Sequence, residues 1–155
     1  MRIIIQRVCE ASVEVENKLV SSIQKGMLVL LAVEELDTFE DINWLCGKIA
    51  KLRVFNDTDG LMNLSVLDVK DINGEILVVS QFTLFASTKK GNRPSFTRSA
   101  KPEFAEKMYL SFVLELEKLL SKKVPTGVFG ANMKVRLVND GPVTIVIDSK
   151  IREEY

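Results

Sequence analysis

A proline stands where the chain otherwise reads as uninterrupted sheet. The segment Asn139-Asp140-Gly141-Pro142-Val143-Thr144 lies between two β-rich runs, Met133 to Val138 and Val143 to Ile147. Proline has no N–H to give to a ladder, so it interrupts a central strand. The glycine before it removes the Cβ, and the backbone can then take unusual shapes and approach a ligand closely. A Gly-Pro bond is also cis at modest cost. The expectation is two strands joined at this motif, with bare backbone presented at the junction.

The second constraint is an absence. The chain contains no histidine. A serine-histidine-aspartate triad and a cysteine-histidine dyad are both excluded. Cys9 and Cys46 are far apart and show no metal-ligand spacing, so no metal is expected. There is no Walker A sequence and no Gly-rich dinucleotide fingerprint; the Gly127-x-x-Gly130 pair does not supply one. No cofactor is expected. Asp57 and Asp59 form a carboxylate pair, but Asp57-Thr58-Asp59-Gly60 is turn chemistry. What remains for chemistry is Ser80-Gln81-Phe82-Thr83 and the backbone near Gly141 and Pro142. Amides and hydroxyls of this kind bind, orient and form oxyanion holes, yet supply no strong base near neutral pH. The Ser80 to Thr83 segment taken alone also reads as an ordinary strand end. Thr83 as a nucleophile would need an activating base that its neighbours do not provide. These residues suggest a protein that positions a substrate carrying its own reactive group, or no enzyme at all.

The 155 residues, 46% hydrophobic and 27% charged, suit one soluble globular domain with a real core. No segment approaches the roughly 18 apolar residues of a membrane span. The opening Met1 to Val8 is too short and too early in charge for a signal peptide and reads as a first strand. A cytoplasmic location with reduced thiols is expected. Basic and acidic residues balance at 21 each, which argues against a generic polyanion binder. Their distribution is uneven, since Ser87 to Pro102 carries Lys89, Lys90, Arg93, Arg98 and Lys101 without one acidic residue. Gly91 and Pro94 mark that stretch as a loop. It reads either as a solubilising loop or as an arm that contacts nucleic-acid phosphates.

Along the chain, strands are expected at Ile3 to Val8, Ser12 to Glu16 and Met27 to Val33, the last buried on both faces. A helix should start at Asp37 as N-cap with Glu40 three residues on, burying Ile42, Leu45, Ile49 and Leu52 against the sheet. Arg53 to Asn56 reads as a short strand. Asp71-Ile72-Asn73-Gly74 reads as a hairpin turn, and Glu75 to Ala86 as a strand. Pro102 to Lys122 should be a second helix with Phe104, Met108, Phe112, Leu116 and Leu119 inward. The tail Ile151 to Tyr155 should fray. The pattern is a single α+β domain over residues 1–150, with a mostly antiparallel sheet, two packed helices and a charged tail over 151–155.

At this level the chain resembles the D-aminoacyl-tRNA deacylases, also called D-tyrosyl-tRNA deacylases. The anchors are Ser80-Gln81-Phe82-Thr83-Leu84 and Asn139-Asp140-Gly141-Pro142-Val143-Thr144. Gln6-Arg7-Val8, Gly91-Asn92-Arg93-Pro94-Ser95-Phe96 and Thr126-Gly127-Val128-Phe129-Gly130-Ala131-Asn132-Met133 support them in the same order. The resemblance implies a β-barrel-like homodimer with its active site at the subunit interface. It implies hydrolysis of the ester between a D-amino acid and the terminal adenosine of tRNA, and of glycyl-tRNA(Ala). The implied catalytic segment is Ser80, Gln81, Phe82 and Thr83, with the 2′-hydroxyl of the adenosine as the reactive group. A cis Gly141-Pro142 from one subunit, flanked by Asn139, would enter the other subunit's site and exclude L-amino acids. Arg7 would hold that motif, and Phe129, Gly130 and Met133 would line the adenosine pocket. Lys89, Lys90 and Arg93 are our own candidates for acceptor-stem phosphates. Two other readings stand beside this one. They are a non-catalytic tRNA-binding module of the same fold and a related deacylase with trans Gly-Pro acting on L-alanyl-tRNA.

Overall fold

The computed structural model describes residues 1–69 and 75–152. Its spine is one long strand, β1 (Arg2–Val15). On one edge of β1 lie β3 (Gly26–Ala32), paired with its N-terminal half, and β2 (Lys18–Ile23), paired with its C-terminal half; both are antiparallel. The other edge pairs antiparallel with β7 (Met133–Asp148). Beyond β3, β6 (Glu75–Ser80) adds a parallel neighbour. The expected two strands, Ile3 to Val8 and Ser12 to Glu16, are therefore one. Cys9 and Glu10 stay in the strand, where the β7 register shifts between Val8 and Glu10. Ile3 and Ile5 face one core cluster, whereas Val8, Ala11 and Val13 face the other. Even and odd positions exchange faces across the shift, as one extra residue in a period-two pattern requires.

The sheet is buried on both sides for the same reason of alternation. In β3 and β6, Met27, Val29, Leu31, Ile76 and Val78 point to the helices. Leu28, Leu77 and Val79 point into the curl of the sheet, with Val8, Ala11 and Val13. Each such side chain contributes about 1.5–3 kcal/mol of burial. The result is a curled, half-barrel sheet, mostly antiparallel, with two helices on its outer face.

Helix α1 (Phe39–Lys51) begins one residue later than expected, with Thr38 as N-cap and Asp41 as its reciprocal partner. The Asp41 carboxylate accepts the Thr38 N–H at 2.8 Å. Asp37 lies outside the helix and accepts from the Glu34 N–H and the Met1 amino group. Helix α2 (Pro102–Leu120) carries proline in its first turn, as expected. Its buried stripe is Ala105, Met108, Tyr109, Phe112, Val113 and Leu116. Phe104 is half-buried and Leu119 exposed, because the stripe drifts around the helix away from both ends.

Other departures are local. β2 follows a two-residue turn whose Glu16 and Asn17 have φ of 50° and 61°, a left-handed pair that hairpins favour and that lacks the usual glycine signal. β4 (Phe55–Asn56) and β5 (Met62–Leu64) form a small hairpin. Its turn uses the Asp57 carboxylate to accept the Asp59 and Leu61 N–H groups, so Asp57 and Asp59 are turn residues. The expected turn at Asp71 to Gly74 lies outside the described residues. The strand expected from Glu75 to Ala86 stops at Ser80, where its partner β3 also ends. Phe82–Phe85 is a 3-10 turn instead. Of the tail expected to fray, Ile151 and Arg152 are held: the Ile151 N–H donates to the Asp148 carbonyl at 3.3 Å, and the Arg152 guanidinium donates to Glu40 at 2.9 Å and stacks 5.1 Å from the Trp44 ring centroid; residues 153–155 lie outside the described residues.

Candidate active site

A cleft of about 640 Å³ opens where β3 and β6 end. Ser80, Gln81 and Phe82 form one wall, and Phe129, Gly130 and Met133 contribute the other. The floor is apolar, with Leu31, Val79, Ala105 and Val135. Tyr109 fixes the floor, because its hydroxyl donates to the Val78 carbonyl at 2.9 Å and its ring packs 5.8 Å from Phe129. Burial pushes its phenol up to about 12, against a smaller opposing effect of Thr126. It is a structural donor, not an acid for neutral pH. Among the described residues, no carboxylate lines the cleft, and Lys101 is its one cationic side chain.

The 3-10 turn is held from several sides. The Gln81 N–H donates to the Leu31 carbonyl at 2.7 Å, the last rung between β3 and the outgoing chain. The Arg2 guanidinium donates to the Leu84 carbonyl at 2.8 Å, and the Ser99 hydroxyl to the Phe82 carbonyl at 2.9 Å. Phe85 is fully buried beneath the guanidiniums of Arg2 and Arg98, 4.8 and 5.1 Å from its ring centroid. Phe82 is 57% exposed and meets Phe96 edge to face at 5.1 Å. The N–H groups of Phe82 and Thr83 open the turn, so no carbonyl inside it can accept them. The Thr83 hydroxyl accepts from the Gln81 side-chain amide, which is not a base.

The Gly141–Pro142 segment lies elsewhere. Gln6 pairs with Thr144 and Val8 with Asn139, so Asp140 to Val143 bulge out opposite Arg7 alone. The expected two strands are one strand with this bulge, because ejecting the proline lets the ladder close on both sides of it. The Gly141–Pro142 bond is cis, and Gly141 has φ of 121°, open to glycine alone. A Cβ on Gly141 would lie 3.0 Å from both Arg7 Nη2 and Val143 Cγ2. Arg7 is buried behind the bulge. Its Nε donates to the Asp140 carbonyl at 3.1 Å, and its Nη1 to the Val54 carbonyl at 2.6 Å and Asn56 Oδ1 at 3.2 Å. Its guanidinium also pairs with the Asp140 carboxylate at 3.2 Å. Asn139, Gly141 and Pro142 are exposed, and none of them lines the cleft of its own chain.

The basic loop closes through paired backbone bonds between Ser87 and Ser95 at 2.8 and 2.9 Å. It carries Lys89, Lys90 and Arg93, all exposed. Phe96 joins this loop to the cleft mouth, whereas Arg98 is paired with Glu34 at 3.4 Å. The structure thus gathers Ser80 to Phe82 with Phe129, Gly130 and Met133, and leaves Arg7 with Asp140 to Pro142 as a separate unit. Sequence reasoning missed Ser99, Lys101 and Tyr109 at the cleft. Tyr109 had a signal, an aromatic with a polar tip on the apolar stripe of a helix; Ser99 had none. Among the described residues no acidic or cysteine cluster suits a metal, and no helix is long and apolar enough to cross a membrane.

A model of the family described as D-Tyr-tRNA(Tyr) deacylase matches residues 4–148. Over 153 residues the chain is 61% identical to the D-aminoacyl-tRNA deacylase of Flavobacterium johnsoniae, covering 99% of this chain and 100% of the relative. It is 56% identical to the protein of the same name from Bacteroides thetaiotaomicron, with the same coverage. Among solved structures, a c-Myc DNA unwinding element binding protein superposes with a TM-score of 0.87 at 41% identity, covering 96% of this chain and 98% of that one. A probable eukaryotic D-amino acid tRNA deacylase shares the fold, with a TM-score of 0.80 at 18% identity over 94% of this chain and 97% of that one.

Proposed function

The chain belongs to the D-Tyr-tRNA(Tyr) deacylase family and is a D-aminoacyl-tRNA deacylase, and from that premise we propose how it hydrolyses its substrate and tells D from L. The observation that carries the reading is the lining of the cleft. It offers hydroxyls, an amide, backbone and aromatic surface and the cation of Lys101, with no carboxylate among the described residues and no histidine in the chain. Such a site binds and polarises an ester but does not generate a nucleophile. A 3′-aminoacyl ester brings a group that can position one, the adjacent 2′-hydroxyl, already oriented to hydrogen-bond the attacking water; the water oxygen bonds to the carbonyl carbon, the bond to O3′ breaks, and the free amino acid and the 3′-hydroxyl of the tRNA leave. In this mechanism Phe129, Gly130 and Met133 hold the terminal adenosine. The N–H groups of Phe82 and Thr83 meet the developing oxyanion. Ser80, Gln81 and the Thr83 hydroxyl shape and orient, and Thr83 is not the nucleophile.

Chirality is read by geometry alone. L and D forms exchange hydrogen and side chain at one tetrahedral carbon. A rigid backbone wall on one side therefore rejects every L side chain, while glycine passes. We assign that wall to Gly141 and Pro142 of a second copy. Two features support this. The motif is exposed and does not line its own cleft, and β7 pairs with β1 along one edge and with no other strand among the described residues. A homodimer would cover that edge and deliver the motif. Lys89, Lys90 and Arg93 stand on a loop continuous with the cleft mouth and are assigned to acceptor-stem phosphates. The protein works in the cytoplasm, where aminoacyl-tRNA is found, and serves as an editing enzyme that keeps D residues out of translation.

One experiment tests mechanism and selectivity together, using D-tyrosyl-, L-tyrosyl- and glycyl-tRNA, each ending in adenosine or 2′-deoxyadenosine. D-tyrosyl and glycyl esters should be cleaved and L-tyrosyl spared. Removing the 2′-hydroxyl should slow cleavage by about 10³-fold or more. Full-rate cleavage of the deoxy substrate would sink the substrate-assisted step. Turnover of the L ester would sink the wall.

A further inference from the structure

The proposed oxyanion donors are backbone groups, so something must fix the rotation of their peptide planes. We propose that Ser99 is the positioning residue for the Phe82–Thr83 peptide, an inference that rests on the reading of those N–H groups as donors. Ser99 sits at the cleft, on the segment leading into α2. Its hydroxyl donates to the Phe82 carbonyl at 2.9 Å across a chain separation of 17 residues. That carbonyl and the Thr83 N–H belong to one planar peptide and point in opposite directions. Holding the carbonyl therefore aims the N–H. The hydrogen bond also withdraws electron density from the amide, which makes the same N–H a stronger donor.

The neighbouring contacts isolate the role of Ser99. The Thr83 carbonyl is held by the Ala86 N–H at 3.0 Å and the Leu84 carbonyl by Arg2 at 2.8 Å, both from behind the turn. Arg2 anchors that end through Asp148 at 2.9 Å and through the buried Phe85 ring. The turn therefore keeps its fold without Ser99. At the exposed Phe82 end, Ser99 is the side chain that fixes the plane. Ser99 itself is set by its own N–H, which donates to the Phe96 carbonyl at 3.0 Å. Phe96 in turn packs on Phe82. The cleft-mouth loop and the catalytic turn are thus locked to each other at two adjacent points.

The test compares Ser99→Ala and Ser99→Thr in the full-length protein, by single-turnover and steady-state deacylation of D-tyrosyl-tRNA. Misaiming one donor without deleting it should cost less than the 10²–10³-fold of a deleted one, about tenfold in kcat. KM and the melting temperature should hold, and Ser99→Thr should restore kcat. An unchanged kcat in Ser99→Ala overturns the proposal. So does a fall in kcat that tracks a fall in melting temperature and is not rescued by threonine. A parallel full-length protein with the α-hydroxy analogue of threonine at position 83 lacks the N–H itself. If that ester variant keeps full rate, the donor reading fails. If it loses activity while Ser99→Ala does not, the donor reading stands and the positioning role of Ser99 falls.

Discussion

The turn at Phe82–Phe85 and the bulge at Asp140 to Val143 both present backbone where a strand gives out, and they are braced in opposite ways. The turn has many supports: a rung to Leu31, the Ser99 hydroxyl, Arg2, and a buried Phe85 under two guanidiniums. The bulge rests chiefly on one buried side chain, Arg7, which reaches Asp140 on one side and Val54 and Asn56 on the other. A surface made of backbone has no side chains of its own to lock, so its rigidity must come from behind. Distributed bracing tolerates the loss of one contact. A single brace does not.

This contrast can be broken most sharply at Gly141. Gly141→Ala forces a Cβ onto a φ of 121° and against Arg7. It should cost about 1–3 kcal/mol of stability. It should also lower kcat/KM for D-tyrosyl-tRNA by about 10²-fold, since a 1 Å misplacement costs that much. Urea titration and deacylation rates check the pair. Arg7→Ala comes next. It strips the partner from the Val54 and Asp140 carbonyls and should cost about 2–4 kcal/mol in urea unfolding. Turnover of L-tyrosyl-tRNA should appear with it, whereas Arg2→Ala, one brace among several, should leave selectivity intact. Reversing Lys89, Lys90 and Arg93 to glutamate should raise KM for tRNA about tenfold at low salt and flatten its salt dependence, with kcat for bound substrate unchanged. Unchanged affinity would remove that loop from the tRNA contact.

The smallest effect separates general stability from either region. Burial alone would raise the Asp41 carboxyl, but hydrogen bonds from Lys150, Ser149 and Thr38 hold it well below the usual carboxylate range. A depressed folded pKa means the stabilisation is full above the unfolded value of about 3.9 and is lost as pH falls below it. Unfolding free energy should therefore drop by about 1 kcal/mol between about pH 5 and pH 2 through this group, and Asp41→Asn should flatten that part of the curve. Urea midpoints across that range check it. Selectivity between D and L substrates at neutral pH should not move.

Period and punctuation carried much of the fold. The core faces of both helices, the buried β3 and the proline start of α2 follow from apolar spacing and backbone chemistry. The elements that escaped are those decided by partners. β6 ends at Ser80 because its parallel neighbour ends there, and no residue between Ser80 and Ala86 signals a stop. β1 runs through Cys9 and Glu10 because β7 follows it across the register shift. At the site, Phe82, Phe129 and Met133 were legible through their motifs. Tyr109 gave only the signal of a polar-tipped aromatic on an apolar helix stripe and Ser99 gave none, since their partners depend on which carbonyl lies within reach.

By itself, the sequence determined what this protein lacks and where its backbone is special. With no histidine there is no imidazole chemistry, and with glycine before proline there is a place where a ladder cannot continue. Those are local facts of side-chain inventory and backbone sterics. Only the tertiary structure decided that the proline would be ejected opposite Arg7 and that the Phe82–Phe85 turn and the Gly141–Pro142 bulge would be separate units of one chain. Which strand edges meet, and which carbonyl a guanidinium or hydroxyl can reach, depends on residues far apart in sequence coming together in space.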